Sequence, residues 1–424
     1  MRLLYAFLCV LFLGSGTAAN AQEIALEGFS GIGSRAMGMG GAFISVGDDF
    51  SGAFWNPAGL ARVTRGQVYW EANHGRFTNQ SRFFGSPSRY ELSSTRVGAI
   101  GFVIPYPVHR GSLVFAGGFG RNRDFDSGLE VSGYDTAVDF DKEGFWEDRG
   151  ALGAWTIAGA VDLAPNLSAG ISIYRWRGTD QFSQALTSED IKNAHVDTIS
   201  LYQRFGSQDR YSAWGMQGGL LYWHPSGFRL GLTVMATAPL RVLSQLEDEF
   251  EDVLEGGSDF YPTERYTDFY KIQLPLTFAL GLGFVSGPWT AAWDLHYGDL
   301  QAVTYDVLPQ SVSPHVDDFR RQYRDALRVH LGGEYLFRQV AFRAGYFRDP
   351  IRYTGGSALP NVRVESERDA WTIGLGGKLE NTVGLDVAVI MGGHRVSEGN
   401  REDRVKTFRV LASATFWFDA SIPE

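Results

Sequence analysis

Residues 33–61 read GSRAMGMGGAFISVGDDFSGAFWNPAGLA and differ in pattern from the rest of the chain. The stretch is rich in glycine and apolar side chains, but it has neither the period-two alternation of a strand nor the 3.6-residue period of a helix. It closes on Asn56-Pro57, where the proline fixes its own φ and biases Asn56 toward an extended backbone, so a turn is expected. We infer a compact apolar segment that other parts of the chain must enclose.

Three parts of this stretch, residues 35–43, Asp48-Asp49 and residues 56–59, together resemble the N-terminal hatch of the FadL-type outer-membrane transporters and of their PorV-like relatives. The resemblance implies an all-β fold, a 14-stranded antiparallel transmembrane β-barrel with an N-terminal hatch in the lumen. It also implies passage of hydrophobic compounds, gated by the hatch residues Asn56, Pro57 and Ala58. The alternative, that these three residues only cap the fold of the segment, is equally compatible with an Asn-Pro turn.

The N-terminus predicts export. Residues 1–21 form a signal peptide, with a positive start, an apolar core at residues 3–13 and the small-x-small pattern Ala19-Asn20-Ala21 before a mature N-terminus at Gln22. The apolar core is too short to cross a bilayer as a helix. The single cysteine, Cys9, lies inside this peptide, so a cysteine nucleophile or a cysteine metal site is excluded for the mature chain.

From residue 66 onward the chain repeats segments of alternating polarity. Between Trp289 and Tyr297 every second residue is apolar, with aromatic side chains at both ends, which is typical of a membrane strand with its two interfaces. The hydrophobic content of 44% with a mean hydropathy of −0.14 fits apolar residues at alternate positions. The pattern predicts fourteen strands at residues 66–77, 95–105, 111–121, 151–163, 167–177, 211–223, 228–238, 270–285, 288–298, 326–337, 340–348, 370–379, 382–393 and 406–418.

The connections between these segments alternate in length. Short turns follow every second segment, and between them lie long polar connections near residues 78–94, 122–150, 178–210, 239–269, 299–325, 349–369 and 394–405. A β-sandwich has no reason to segregate its loops, whereas a transmembrane barrel places short turns and both chain ends on the periplasmic side. We therefore expect a hatch at residues 22–65, a barrel at residues 66–418 and a short periplasmic tail at residues 419–424.

One long connection has apolar residues at helical spacing. Leu243, Leu246, Phe250 and Leu254 are separated mainly by acidic residues, which is compatible with an amphipathic helix that gathers a hydrophobic ligand. A solvated acidic loop is the alternative.

Several functional classes are excluded or unsupported. A formal charge of −10 argues against nucleic acid, which requires a basic face. There is no Gly-x-Ser-x-Gly elbow, and the eight histidines lack metal-ligand spacing. Residues 31–36 match a dinucleotide fingerprint only loosely, since no strand precedes them. We expect no enzyme, no cofactor and no metal.

The alternation places a set of ionisable side chains on the inward faces of the strands. An arginine or lysine on the lipid face would cost about 2–4 kcal/mol at mid-depth, so inward placement is almost forced. These side chains either pair with one another and with the hatch groups Arg35, Asp48 and Asp49, or they contact substrate directly. They are Arg229, Asp294, His296, Arg328, His330, Glu334, Arg343, Asp386 and Arg409.

Apolar and flexible positions give the remaining candidates for substrate contact and gating. Apolar surface inside the lumen would come from Phe43, Phe50, Phe54 and Trp55. By the resemblance, a kink in an early strand opens the wall toward lipid, and Gly117-Gly118 in the third segment is a candidate because glycines in strands mark bends. Pro275 in the eighth segment is the rival, because proline removes a ladder hydrogen bond.

Together these features predict passive outer-membrane transport of a hydrophobic small molecule, either long-chain fatty acids or aromatic hydrocarbons, in a Gram-negative-type bacterium. The expected partners are outer-membrane lipids and that ligand. The alternative is a PorV-like barrel that binds proteins for secretion or surface attachment. Continuous apolar density from bound detergent or lipid in the lumen favours transport, whereas a sealed lumen with apolar outer loops favours a protein partner.

Overall fold

The computed structural model describes residues 30–306, 325–350, 362–364 and 367–419. The predicted signal peptide, the first residues of the predicted hatch and most of the predicted tail lie outside the described residues. The strands are β1 Gly66–Phe83, β2 Ser86–Tyr106, β3 Leu113–Asp124, β4 Ser127–Asp135, β5 Phe140–Ala164, β6 Leu167–Glu189, β7 Thr198–Trp223, β8 Phe228–Thr237, β9 Leu240–Leu254, β10 Gly257–Gln273, β11 Thr277–Ser286, β12 Trp289–Gly298, β13 Thr304–Tyr305, β14 Ala326–Phe337, β15 Val340–Asp349, β16 Val362–Val364, β17 Arg368–Leu379, β18 Val383–Glu398 and β19 Arg401–Phe418.

These strands form one closed antiparallel sheet. The wall closes because β1 pairs with β2 on one side and with β19 on the other, where Gly66 lies opposite Phe418. Three wall positions are each built from two strands in succession (β3 with β4, β8 with β9, β10 with β11), and β13 and β16 are short additions in long connections. The wall is therefore a 14-stranded antiparallel β-barrel, which confirms the predicted fold class.

A band of exposed apolar side chains surrounds the wall. On β5 the outward-facing Trp155 and Ile157 are 59% and 65% exposed, and Trp214 and Met216 hold the same place on β7. Beyond Trp155 the outward residues of β5 become polar, with Glu143 and Arg149 exposed to solvent. A continuous exposed apolar band is typical of a wall in contact with lipid. We refer to the wall beyond this band, residues 127–150, 178–212 and 240–273, as the distal extension; it lies outside the membrane-spanning segments.

The distal extension corrects two predictions. Residues 122–150, 178–210 and 239–269 were expected to be loops, yet most of them continue β5, β6, β7, β9 and β10. The search for strands relied on an apolar outward face, and in the extension that face is polar. Residues 243–254 are neither a helix nor a loop, because they belong to strand β9, where buried Val242 and Leu246 alternate with exposed Arg241 and Glu247.

Residues 30–65, which we refer to as the luminal segment, contact inward-facing side chains around the barrel. The segment contains helix α1 Ser34–Gly38, helix α2 Gly52–Trp55 and a 3₁₀ helix Pro57–Arg62. Its apolar residues form shared buried clusters with wall residues on opposite sides of the barrel. Among the described residues, no helix has the length and apolar character needed to cross a membrane.

Glycine lets the luminal segment approach the wall closely. Gly40 has a φ of 66°, and a Cβ atom there would lie 2.6 Å from the carbonyl oxygen of Leu331 and 2.7 Å from the amide nitrogen of Tyr346. Only glycine fits both the backbone conformation and the space. The glycine-rich run in residues 35–43 is therefore a contact surface with β14 and β15.

Candidate functional site

The Asn56 turn links three parts of the molecule. Asn56 is fully buried, and its side-chain oxygen accepts a hydrogen bond from the Ala58 amide at 3.1 Å, which caps the 3₁₀ helix that Pro57 begins. Its side-chain nitrogen donates to the carbonyl oxygens of Ile44 at 2.8 Å and of Leu220 on β7 at 3.1 Å. Asn56 thus holds the fold of the luminal segment and fixes it to the wall. A gating role for Asn56, Pro57 and Ala58 stays a prediction.

Charged side chains join the luminal segment to three wall strands. The Arg35 guanidinium lies 3.1 Å from Glu334 on β14, and it also pairs with Asp48 and, at 3.8 Å, with Asp49. Arg343 on β15 bridges Glu334 at 2.6 Å and Asp386 on β18 at 2.7 Å. For Glu334, Arg343 and Asp386, the structure therefore fits pairing rather than an open site for substrate.

Other inward-facing side chains bind the backbone of the luminal segment. One carboxylate oxygen of Asp294 on β12 accepts the amides of Phe43 at 2.6 Å and Ile44 at 2.9 Å. His330 Nδ1 lies 2.7 Å from the carbonyl oxygen of Gly40, and Arg409 donates to the carbonyl oxygen of Ser30 at 2.6 Å. These bonds satisfy backbone groups that no strand ladder could reach.

Three of the predicted inward-facing residues remain, namely Arg328, His296 and Arg229. Arg328 pairs with Asp349 at 2.5 Å on the neighbouring strand β15. The His296 ring lies 4.8 Å from the His330 ring, edge to face. Arg229, on β8, lies within electrostatic range of Asp48 and Arg35.

An apolar cavity of about 220 Å³ lies between the luminal segment and the distal extension. Its walls are mainly aromatic and aliphatic, and Arg123 and Arg328 also reach it. The aromatic lining consists of Phe54, Trp55, Tyr174, Trp176, Phe278, His296 and Tyr297. Two predicted aromatics, Phe43 and Phe50, lie outside this cavity and are fully buried, with Phe50 stacked on Tyr69 at 5.2 Å between ring centres.

Sequence reasoning missed most of the wall residues that line this cavity. Tyr174 and Trp176 are neighbours on the inward face of β6, and Leu240 and Leu274 flank a break between strands. The only signal in the sequence is the period-two pair of aromatics at residues 174 and 176. Such pairs recur along the chain, so this one is not distinctive.

The wall is interrupted beside this cavity. Strands β8 and β11 pair up to Met235 opposite Thr277, and pairing between the two wall positions resumes in β9 and β10 at Leu240 opposite Ile272. Pro239 and Pro275 lie in the unpaired intervals, where a missing N–H does not cost a ladder bond. Pro275 and Phe278, the latter 46% exposed on the outer side, line the cavity.

The other candidate for a wall opening has a continuous ladder. Gly117 and Gly118 pair with β2 on one side and β5 on the other without interruption. A Cβ atom at Gly118 would lie 2.7 Å from the Phe50 ring, so the glycine makes room for the luminal segment. Opening of the wall at Gly117-Gly118 stays a prediction.

A second cavity, of about 560 Å³, lies on the opposite side of the luminal segment. It is lined by the Arg35 network and, near the short turns of the barrel, by Arg62, Arg65 and Lys378. The luminal segment therefore separates an apolar cavity from a charged one. In the described part of the chain, no group of three or more His, Cys, Asp or Glu side chains is arranged to hold a metal ion.

Solved structures share this architecture. The Pseudomonas putida toluene transporter TodX matches with a TM-score of 0.63 at 14% identity, over 92% of this chain and 99% of TodX. The fold is that of the FadL-type transporters. A Pseudomonas aeruginosa FadL homologue has this FadL-type fold with a TM-score of 0.56 at 14% identity, over 93% of this chain and 100% of its own. The Ralstonia pickettii toluene transporter TbuX matches with a TM-score of 0.56 at 15% identity, over 91% of this chain and 98% of TbuX. No protein-family model and no curated protein matches the sequence.

Proposed function

We propose that the protein is a passive channel of the outer membrane that moves hydrophobic small molecules inward, with both chain ends in the periplasm. The observation that carries this proposal is the apolar cavity next to an interruption of the barrel wall. TodX and TbuX, which share the fold, are toluene transporters. The alternative of a barrel that binds secreted proteins has less support, because it does not account for an apolar cavity next to an interrupted wall.

The size of the cavity favours a single-ring compound as the bound ligand. An apolar cavity of about 150 Å³ is large enough to hold benzene, and the cavity here measures about 220 Å³. Aromatic side chains on its walls suit an aromatic ring, since offset or edge-to-face contacts add to apolar burial. We therefore favour aromatic hydrocarbons over long-chain fatty acids among the two predicted substrate classes.

The route out of the cavity is the second part of the proposal. Moving the luminal segment would break buried ion pairs, and breaking one such pair costs about 3–5 kcal/mol. A ligand that leaves between Pro239 and Pro275 breaks no ladder hydrogen bond between the wall position formed by β8 and β9 and the wall position formed by β10 and β11. We propose that the ligand leaves sideways through this interval into outer-membrane lipid. Direction then follows from the concentration gradient and from consumption of the ligand downstream.

A cavity-filling variant tests the function. Thr233 lines the cavity from β8, while its neighbour Val234 faces outward and is 43% exposed. In a deletion strain that is complemented with each variant, we expect Thr233→Trp to abolish uptake of radiolabelled toluene and Val234→Trp to retain it. If the deletion strain takes up toluene and long-chain fatty acids at the wild-type rate, the proposed function is wrong.

A further inference from the structure

Three aspartates lie side by side on the inward face of the distal extension. Asp148 is on β5, Asp180 on β6 and Asp209 on β7, and they are 0%, 2% and 2% exposed. Asp180 lies directly opposite Asp209 across the β6–β7 pair and opposite Gly150 on β5, and Asp148 is two residues from Gly150, so it is the diagonal neighbour of Asp180. Like charges directly opposite each other on neighbouring strands destabilise a sheet.

Most of the oxygens of these carboxyl groups lack a partner in the described part of the chain. Neither oxygen of Asp148 makes a hydrogen bond, and Asp180 is supported only by the neighbouring Gln181 amide. Asp209 accepts the Tyr211 hydroxyl at 3.2 Å and is supported by the Ser244 hydroxyl. An isolated buried carboxylate is too costly to keep, so the group either acquires a counter-charge or becomes neutral.

The groups that face the cluster supply no positive counter-charge. Ser244 on β9 lies opposite Asp209, and Asp268 on β10, a further carboxyl group, lies opposite Ser244. Tyr270 on β10 lies beyond Tyr211. The acidic neighbours are Glu147 on β5 and Asp126, between β3 and β4, whose own charge is held by Arg96 at 2.7 Å. A proton neutralises a buried carboxylate without any further partner, so we take protonation as the way in which these groups lose their charge.

The pKa values of the three carboxyl groups are shifted in the direction that favours protonation. Burial, together with the neighbouring Asp209, raises the pKa of Asp180 from 3.8 to about 8. Burial also raises the pKa of Asp148, with the charges of Asp180 and Asp209 adding to the effect, and burial raises the pKa of Asp209. Asp180 therefore favours the protonated, uncharged form near neutral pH, and the pKa values of Asp148 and Asp209 are shifted in the same direction.

We propose that Asp148, Asp180 and Asp209 form a proton-binding site that holds the strands of the distal extension together above the cavity, and that loss of these protons loosens the extension. The site lies next to a buried apolar cluster, because Tyr211 packs on Phe125 with ring centres 5.8 Å apart. The cavity-lining Tyr174 and Trp176 belong to the same cluster. This apolar cluster therefore connects the three aspartates to the walls of the cavity.

The sign of the pH dependence follows from proton binding. A carboxyl group whose pKa is higher in the folded state than in the unfolded state binds more protons when folded. Its contribution is complete below the unfolded value near 3.8 and falls as the pH rises toward about 8. The extension should therefore be most ordered in mildly acidic solution and looser in alkaline solution.

Infrared spectroscopy of the full-length protein in detergent tests the site directly. A protonated carboxyl group has a carbonyl stretching band that an ionised carboxylate lacks. We expect the difference between the wild-type spectrum and that of Asp148→Asn/Asp180→Asn/Asp209→Asn to contain this band at about pH 6 and to lose it by about pH 10. If the triple variant does not fold, the single variant Asp180→Asn should still lose part of the band.

Hydrogen exchange tests the coupling to the extension. After correction for intrinsic rates, wild-type amides in residues 178–212 should lose protection between about pH 6 and about pH 9, and the triple variant should not. The control is Asp135→Asn, which removes a buried aspartate paired with Lys142 at 2.7 Å and should leave that pH dependence unchanged. Absence of the band at about pH 6 would overturn the proposal. So would stabilisation by about 1 mM calcium that is lost in the triple variant, because a metal would then be the ligand.

Discussion

Replacing Asp294 by alanine should release part of the luminal segment from the wall. The Asp294 carboxylate accepts the backbone amides of Phe43 and Ile44 at 2.6 Å and 2.9 Å, and the side chain is fully buried. Alanine leaves both buried amides without an acceptor, at about 1–3 kcal/mol each. The sum of about 2–6 kcal/mol would raise the population of a displaced segment by about 30-fold or more.

Two measurements check this prediction. Ion conductance in planar bilayers should rise in Asp294→Ala, because a displaced segment joins the two cavities, and hydrogen exchange of residues 40–47 should become faster. Asp294→Asn is the matched control, since its amide oxygen can still accept both hydrogen bonds and should preserve most of the wild-type behaviour. Wild-type conductance and wild-type protection of residues 40–47 in Asp294→Ala would refute the proposed anchoring role.

Two further variants test the contacts of the luminal segment by chemical denaturation. Glu334→Ala removes the carboxylate shared by Arg35 and Arg343. We expect the free energy of unfolding to fall by an amount near the lower end of about 3–5 kcal/mol, because each arginine keeps another carboxylate. Glu334→Gln should recover part of this loss. A change within about 0.5 kcal/mol would contradict this. Gly40→Ala should lower the free energy of unfolding by at least about 1–3 kcal/mol, since the new Cβ atom would lie 2.6 Å from the carbonyl oxygen of Leu331. Gly218→Ala, with no atom within 4 Å of its Cβ, is the control, and an equal loss in both variants would contradict the packing argument.

The lipid-facing wall could be predicted from local pattern. In strands such as β12, β14 and β15, each apolar outward face meets lipid independently of the other strands, so the alternation alone marks the strand. The same rule failed in the distal extension, where the outward face of β5 carries Glu143 and Arg149. In the distal extension the strands continue to pair with their neighbours, but their solvent-facing side chains are polar and no longer give the alternating pattern that predicts a strand.

The candidate site was predicted only in part. The alternation placed Asp294, Glu334 and Arg409 on inward faces, because a charge inside a membrane barrel must face inward, and in the structure these three side chains contact the luminal segment. Which of them would meet could not be derived, since Asp294 and Phe43 are far apart in the chain and come together only when the barrel closes around the segment. The cavity lining was missed for the same reason, as it combines side chains from separate strands and from the luminal segment.

By itself, the sequence determined that the chain forms a membrane-type barrel, because contact with lipid acts on each strand separately and leaves a period-two record. Only the tertiary structure decided which charges pair, where the wall is interrupted and what lines the cavity. These depend on strand register across the closed sheet, which brings together residues such as Arg35 and Glu334, 299 positions apart. No local pattern can encode a contact over that distance.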